Sequence, residues 1–389
     1  MKLYALNTLV CPLSKTPLSL ISLEQGKNEL SNSDLERCEQ LRIKPGDLTT
    51  TVKEGVLVCE ANKTWYPIVN YVPLLIDYPT EIHHDFKSRH AAQCDALKTY
   101  ALPGGTPRPG EQIVQKNFTK QWKTLPLGKI SFGLSSQQRD DFIRLELDWP
   151  EGVKRPGKRI LEVGCGSGFE SLSLDRVTQG EIYGFDLNLA VLRNGPNLDP
   201  QPFINVAVAS LYALPVRPQS FDIVYSSGVL HHTYSTKAGF DEIFKFKLPQ
   251  GMIYIWVYAS EDYCSNIKNR LTWVREDIFR PMLAKLPGFL QTPIMKYIAW
   301  RHCRYYKKVG GYNKDLWGFA DSEHFIRDLW TPLYAHRQTF KEVIIWFQEK
   351  GLEYGLIDPQ AYYERLKCPL IGIGIRGIPK KAAQASLAA

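Results

Sequence analysis

Arg159-Ile-Leu-Glu-Val-Gly-Cys-Gly-Ser-Gly-Phe169 decides how this chain is read. Ile160 to Val163 has the apolar run of a short buried strand, after which glycine stands at every second position, 164, 166 and 168. Glycine turns through positive φ without strain and lets a ligand approach the backbone with no Cβ in the way. Phe169 to Val177 reads as a helix, so the loop is expected to aim free N–H groups at whatever it cradles. The spacing is GxGxG, not the GxGxxG of dinucleotide binders, although the site is of the nucleotide type.

A second strand, Glu181-Ile-Tyr-Gly-Phe185, ends in Asp186, a carboxylate placed to accept both hydroxyls of a ribose. Phe203 to Ala209 forms a third strand, followed by Ser210-Leu-Tyr-Ala-Leu-Pro215, and Phe221-Asp-Ile-Val-Tyr-Ser-Ser-Gly-Val-Leu-His-His232 a fourth running into a helix. Together these resemble the class I S-adenosylmethionine-dependent methyltransferases, in their ubiquinone- and menaquinone-type (type 11) branch, over residues 155 to 260. The resemblance implies an α/β fold: a Rossmann-like seven-stranded sheet with helices on both faces, six strands parallel and the seventh antiparallel. It implies S-adenosylmethionine as cofactor, held by Glu162, Gly164, Cys165, Gly166, Gly168, Asp186, Leu187, Ser210, Leu211 and Ser226. Ser210 stands where members of the branch carry an acid for the adenine amino group.

Residues 1–77 have a separate character. Leu9-Val-Cys11-Pro-Leu-Ser14 and Leu57-Val-Cys59-Glu-Ala-Asn62, with Tyr66-Pro-Ile68 and Val72-Pro-Leu-Leu75, resemble the two knuckles of the small zinc-ribbon proteins that activate RNA and protein methyltransferases. Each knuckle keeps one cysteine, with Ser14 and Asn62 in the partner positions. Two thiolates do not complete the four-ligand shell of structural zinc, so no metal is assigned. A small α+β ribbon-like module packed on the methyltransferase core is expected. The remaining cysteines are scattered, without C-x-x-C pairs, which suits reduced thiols in a cytoplasmic protein.

Residues 78–154 form a connector and helical cap, in which Phe118-Thr-Lys-Gln-Trp122 resembles an element found near the cofactor mouth of fused methyltransferases; Trp122 is a substrate candidate. Residues 155–258 are the cofactor-binding core and 259–331 a helical insertion rich in aromatic and basic residues, read as a lid. A homodimer contact and a membrane-surface helix are alternatives there, but Pro281, Pro287 and Pro293 interrupt a long amphipathic helix; RNA binding is a further one, for which the basic run from Arg301 to Lys308 is small. Residues 332–380 complete the core: Thr339 and Glu342 make a capping box, and Phe340, Val343, Ile344 and Phe347 share one helix face. Residues 381–389 read as a disordered tail.

Methyl transfer needs alignment and exclusion of water, and an oxygen or nitrogen acceptor also needs a base. His231 and His232 follow the fourth strand and are the catalytic candidates; Tyr334 and His336 join Trp122 as substrate candidates. The 389 residues, 44% hydrophobic and with a net charge of +8, describe a globular chain whose charge permits an anionic partner without requiring one. No apolar run reaches the ~18 residues that span a bilayer. The sequence therefore leads us to expect a cytoplasmic methyltransferase acting on a small or medium-sized metabolite. A tRNA- or RNA-modifying methyltransferase and a non-catalytic cofactor-binding scaffold are the alternatives.

Overall fold

The computed structural model describes residues 1–260, 267–309, 314–366, 370 and 372–380. The expected tail, 381–389, lies outside them, as do 261–266 and 310–313 of the insertion.

Among the described residues, eleven strands form two sheets. The first is antiparallel, in the order β1 (Ser19–Lys27), β2 (Thr50–Cys59), β3 (Thr64–Val69), β4 (Val72–Pro73). The second has the order β10-β11-β9-β8-β5-β6-β7, formed by β5 (Arg159–Val163), β6 (Glu181–Asp186), β7 (Ile204–Val208), β8 (Phe221–Ser227), β9 (Lys247–Val257), β10 (Leu352–Leu356) and β11 (Ile373–Pro379). β5, β6 and β7 pair in parallel, whereas β11 runs antiparallel to both of its neighbours, β9 and β10. This is the doubly wound methyltransferase sheet that the resemblance implies. The last strand begins at Ile373, directly after Gly372, which turns the chain at φ 115°.

By contact the chain falls into two compact units that interleave along the sequence. The first combines 1–108, 154–224 and 242–249, so the N-terminal module shares a unit with the glycine loop. Within it, Leu74 bridges Val208 in parallel and the Leu75 N–H donates to the Val208 carbonyl at 2.8 Å, extending the edge of the large sheet beyond β7. Val72, Leu74, Ile76 and Tyr78 bury against Phe169, Val191, Leu198 and Val208. The buried Lys2 ammonium donates to the Ile204 carbonyl at 2.6 Å; burial draws its pKa down to about 8, and Asp199 and Asp175 oppose that fall. The module is thus built into the core by backbone pairing and a shared apolar cluster.

Fit is tightest at Gly195, where a Cβ would stand 1.7 Å from the Asn70 carbonyl oxygen, a backbone atom that cannot swing aside. Gly195→Ala is expected to destabilise the protein by roughly 1–3 kcal/mol, the range for overpacking. A melt should read this as a fall of about 2–10 °C.

The second unit holds 109–153, 225–241 and the chain from 250 onward. Its helices include α5 (Glu111–Trp122), α6 (Ser136–Leu147), α10 (Ile267–Lys285), α11 (Gly288–Val309), α12 (Phe319–Trp330) and α13 (Phe340–Glu349); α1 to α4 and α7 to α9 are Asn32–Leu41, Pro45–Thr49, Glu81–His90, Ala96–Thr99, Ser171–Thr178, Gly195–Leu198 and Thr236–Phe244, and α14 is Pro359–Leu366. Thr339 and Glu342 close the capping box of α13, whose Val343 and Phe347 are fully buried. Among the described residues no helix is long and apolar enough to cross a membrane.

Candidate functional site

The residues singled out by sequence form two groups, one in each unit. In the first unit, Gly164, Gly166 and Gly168 all adopt positive φ, at 86°, 58° and 83°. Four of the N–H groups that the loop was expected to present free are engaged within the protein. Gly164 and Cys165 donate to the Phe185 carbonyl at 2.7 and 3.3 Å, Gly168 to the Cys165 carbonyl at 2.8 Å, and Gly166 to the Asp186 carboxylate at 2.7 Å. The following helix, α7, begins at Ser171, not Phe169. The loop is therefore a pre-shaped surface tied to the end of β6, and these four amides hold that shape.

Asp186 is the centre of this arrangement. One carboxylate oxygen accepts from Gly166 and the other from the Asn188 N–H at 2.8 Å, which joins the loops after β5 and β6. Burial raises its pKa to about 6 against the pull of those amides. Asn188 and Asn194 brace the loop from below, their side-chain amides donating to the Gly166 and Ser167 carbonyls at 2.8 Å each. Neither asparagine was singled out by sequence, because each acts on a carbonyl more than twenty residues away.

Glu162 is buried at the end of β5 and accepts from the Ser171 hydroxyl. Cys165 is buried too, and burial, with Asp186, Glu162 and Glu170 nearby, pushes its thiol well above the usual range. It is a packed side chain, held in the unreactive thiol form. Ser210 is buried and its hydroxyl caps the turn at 211–213, accepting from the Tyr212 N–H at 3.2 Å. Leu187 and Leu211 are half-buried.

The knuckle residues also meet. Asn62 donates to the Cys11 sulfur at 3.5 Å, Tyr66 Oη lies 3.4 Å from it, and Ser14 and Thr16 hydroxyls lie 3.4 and 3.3 Å from the Cys59 sulfur. Burial works to raise the Cys11 pKa, but hydrogen bonds from Ser14, Tyr66 and the Leu13 backbone bring it to about 7. No group of three or more His, Cys, Asp or Glu suited to a metal occurs among the described residues.

In the second unit the histidine pair is fully enclosed. The His231 ring stacks on Tyr258 with centroids 3.8 Å apart, and neither of its nitrogens has a hydrogen-bond partner among the described residues. His232 Nδ1 lies 2.9 Å from the Tyr334 carbonyl, which only a donor N–H can satisfy, so Nε2 carries the lone pair. That Nε2 stands 3.8 Å from Asp328 Oδ1. Asp328, on α12, also accepts from the Tyr258 hydroxyl at 2.8 Å and from Gln121 at 3.0 Å. Burial lowers the pKa of both histidines, with Asp328 opposing the shift at His232.

Phe118, not Trp122, lies against His232, with ring centroids 5.1 Å apart, while Trp122 packs edge-on against the buried His324. Tyr334 hydrogen-bonds Pro109 through its hydroxyl and stacks on His336, whose N–H donates to the His231 carbonyl at 2.9 Å. Ser226 is buried on β8. Sequence reading missed Asp328, Gln121 and Tyr258. Their carboxylate, amide and phenol meet only through the packing of segments between 70 and 207 residues apart.

Residues 161–255 match the family described as Methyltransferase domain, and residues 2–70 match the Trm112p-like proteins. The chain is 38% identical over 186 residues to a tRNA U34 carboxymethyltransferase of Ectopseudomonas mendocina, covering 44% of this chain and 50% of that protein. It is 33% identical over 128 residues to sterol 24-C-methyltransferase erg6 of Schizosaccharomyces pombe, covering 30% and 32%. It thus spans about half the length, or less, of the curated relatives it matches. A solved complex containing the Haloferax volcanii Trm112 methyltransferase activator is 14% identical, with a TM-score of 0.40 over 68% of this chain and 97% of that one.

Proposed function

We propose that this chain, which joins a Trm112-like module to a class I S-adenosylmethionine-dependent methyltransferase domain, methylates tRNA. The observation that carries the acceptor is the matched relatives named tRNA U34 carboxymethyltransferases in Ectopseudomonas mendocina, Alcanivorax borkumensis and Pseudomonas aeruginosa. The same finding overturns the expectation of a small or medium-sized metabolite. That expectation rested on the cofactor motifs, which do not touch the acceptor. The net charge of +8 suits a polyanionic substrate, and the cytoplasm is where that substrate would be met.

The residues present fit the cofactor. Asp186 is an acceptor-only carboxylate fixed by the Gly166 and Asn188 N–H groups at 2.7 and 2.8 Å, the kind of acceptor a ribose diol needs. Glu162, the glycine loop, Leu187, Leu211 and Ser210 are the further contacts we assign. The bound cofactor supplies an electrophilic methyl group on a sulfonium. The protein has to align the acceptor with it, exclude water and take up the proton released at an oxygen or nitrogen. His232 Nε2 is suited to taking that proton, since it is neutral at physiological pH and Asp328 stands ready to pair with the imidazolium it becomes. The Trm112-like module acts in cis, supporting the sheet edge next to the glycine loop.

Incubating the protein with methyl-labelled S-adenosylmethionine and unfractionated tRNA lacking this modification, then digesting to nucleosides, tests the proposal. Label in one modified nucleoside supports it. Unlabelled RNA beside a labelled small molecule from a cell extract refutes it.

A further inference from the structure

Helix α11 carries on its outer face a pattern that neither the cofactor site nor the histidine pair uses. Over Gly288–Val309 it contains five Lys or Arg and no Asp or Glu. Gln291, Met295 and Ala299 are buried, and Met295 and Ala299 pack with Ile326 of α12. The opposite face is open: Tyr297 is 59%, Trp300 48% and Tyr305 65% exposed. Arg304 lies over the Trp300 ring at 4.9 Å, and Tyr297 stacks on that ring at 6.3 Å. Among the described residues no carboxylate pairs with Arg301, Arg304, Lys307 or Lys308.

The order of these residues around the helix selects the occupant. At 100° per residue, Arg304 and Lys308 fall within about 20° of Tyr297, with Trp300 on one side and Arg301 and Tyr305 on the other. A membrane-surface helix keeps its cations at the edges of the apolar face. Here Arg304 and Lys308 occupy its middle over the last turns, beyond the exposed Leu290 and Ile294 of the first turns, and lipid insertion there would bury them. A second copy of this face would bring uncompensated cations against cations. A flexible polyanion with stackable bases meets both features, since cations take the phosphates while aromatic rings take the bases.

We propose that Tyr297, Trp300, Arg301, Arg304, Tyr305 and Lys308 form a landing surface for an unpaired segment of the RNA substrate, an inference that rests on the tRNA reading above. α11 packs on α12, the helix that presents Asp328 to His232, so the surface belongs to the same unit as the histidine pair.

The test is tRNA binding and methylation by the whole protein and two variants, Trp300→Ala/Tyr305→Ala and Arg301→Ala/Arg304→Ala/Lys308→Ala. All six side chains are exposed, so melting temperatures should match the wild type. The aromatic variant is expected to lose about tenfold or more in tRNA affinity. The cationic variant should lower the slope of log affinity against log salt by about 2, at roughly 0.7 per lost phosphate contact on a single strand. KM for tRNA should rise in both, with kcat and cofactor affinity unchanged. Wild-type methylation of tRNA with unaltered affinity and slope in both variants refutes this surface and leaves the tRNA reading standing. Wild-type protein that neither binds nor methylates tRNA refutes both. Unchanged tRNA binding with lost binding to phosphatidylserine vesicles, or with a changed sedimentation coefficient, refutes it in favour of a membrane or a second copy.

Discussion

Asp186→Ala is expected to weaken binding of S-adenosylmethionine and of its demethylated product by about 10²–10⁴-fold. The magnitude follows from two hydrogen bonds between ribose hydroxyls and an ionised carboxylate, at roughly 1.5–3 kcal/mol each. The variant also frees Gly166 and Asn188, the two amides that the carboxylate draws together at 2.7 and 2.8 Å. Asp186→Asn is not a gentle substitute. Both oxygens accept from backbone N–H groups, so the new NH₂ must point a donor at a donor on one side. Calorimetric titration of the folded variants reads the loss directly, and affinity within threefold of the wild type would remove Asp186 from the site.

The same carboxylate makes binding depend on pH. Its pKa of about 6 in the cofactor-free protein exceeds the ordinary value of about 3.9, so the folded state takes up a proton before the unfolded chain does. Acidification from pH 7 through 6 therefore stabilises the free protein, by up to roughly 3 kcal/mol below pH 4, while it removes the anion that the diol requires. Cofactor affinity should fall as pH drops through about 6. The pH-dependent stabilisation from this group should disappear in Asp186→Ala.

The cofactor half was legible because its signals are local. Glycine at 164, 166 and 168 reports the positive φ that the loop needs, and Asp186 ends a strand whose period is plain. The loop's hydrogen bonds were not legible, since Phe185 and Asp186, which absorb its amides, reach it across the β5–β6 pairing. Ser14 and Asn62 stood out as non-ligands by spacing, yet only the fold shows Asn62 bonding Cys11 and Ser14 bonding Cys59 across the two knuckles. The acceptor was misread for a related reason. A loop that grips the methyl donor carries no information about what receives the methyl, and the outer face of α11 reads as a lid until its exposure is known.

His232→Gln is expected to lower kcat by about 10²–10⁴-fold with the affinity for S-adenosylmethionine unchanged, the span for loss of a positioned base. Asp328→Asn distinguishes a base from a buried packing histidine. Burial depresses the His232 pKa and the Asp328 carboxylate, 3.8 Å from Nε2, pulls it back up. Replacing that carboxylate by a neutral amide must then lower the pKa further, so the acid limb of the kcat profile should move to lower pH than in the wild type. The plateau rate should fall as well, because the imidazolium formed in the reaction loses its counter-charge. The Tyr258 and Gln121 hydrogen bonds to residue 328 depend on an acceptor at each oxygen, so the amide also loosens the ring that stacks on His231. A purely structural role predicts a lower melting temperature with an acid limb that stays in place. A limb that moves to higher pH would contradict the arrangement, because removal of the neighbouring carboxylate by itself makes His232 harder to protonate.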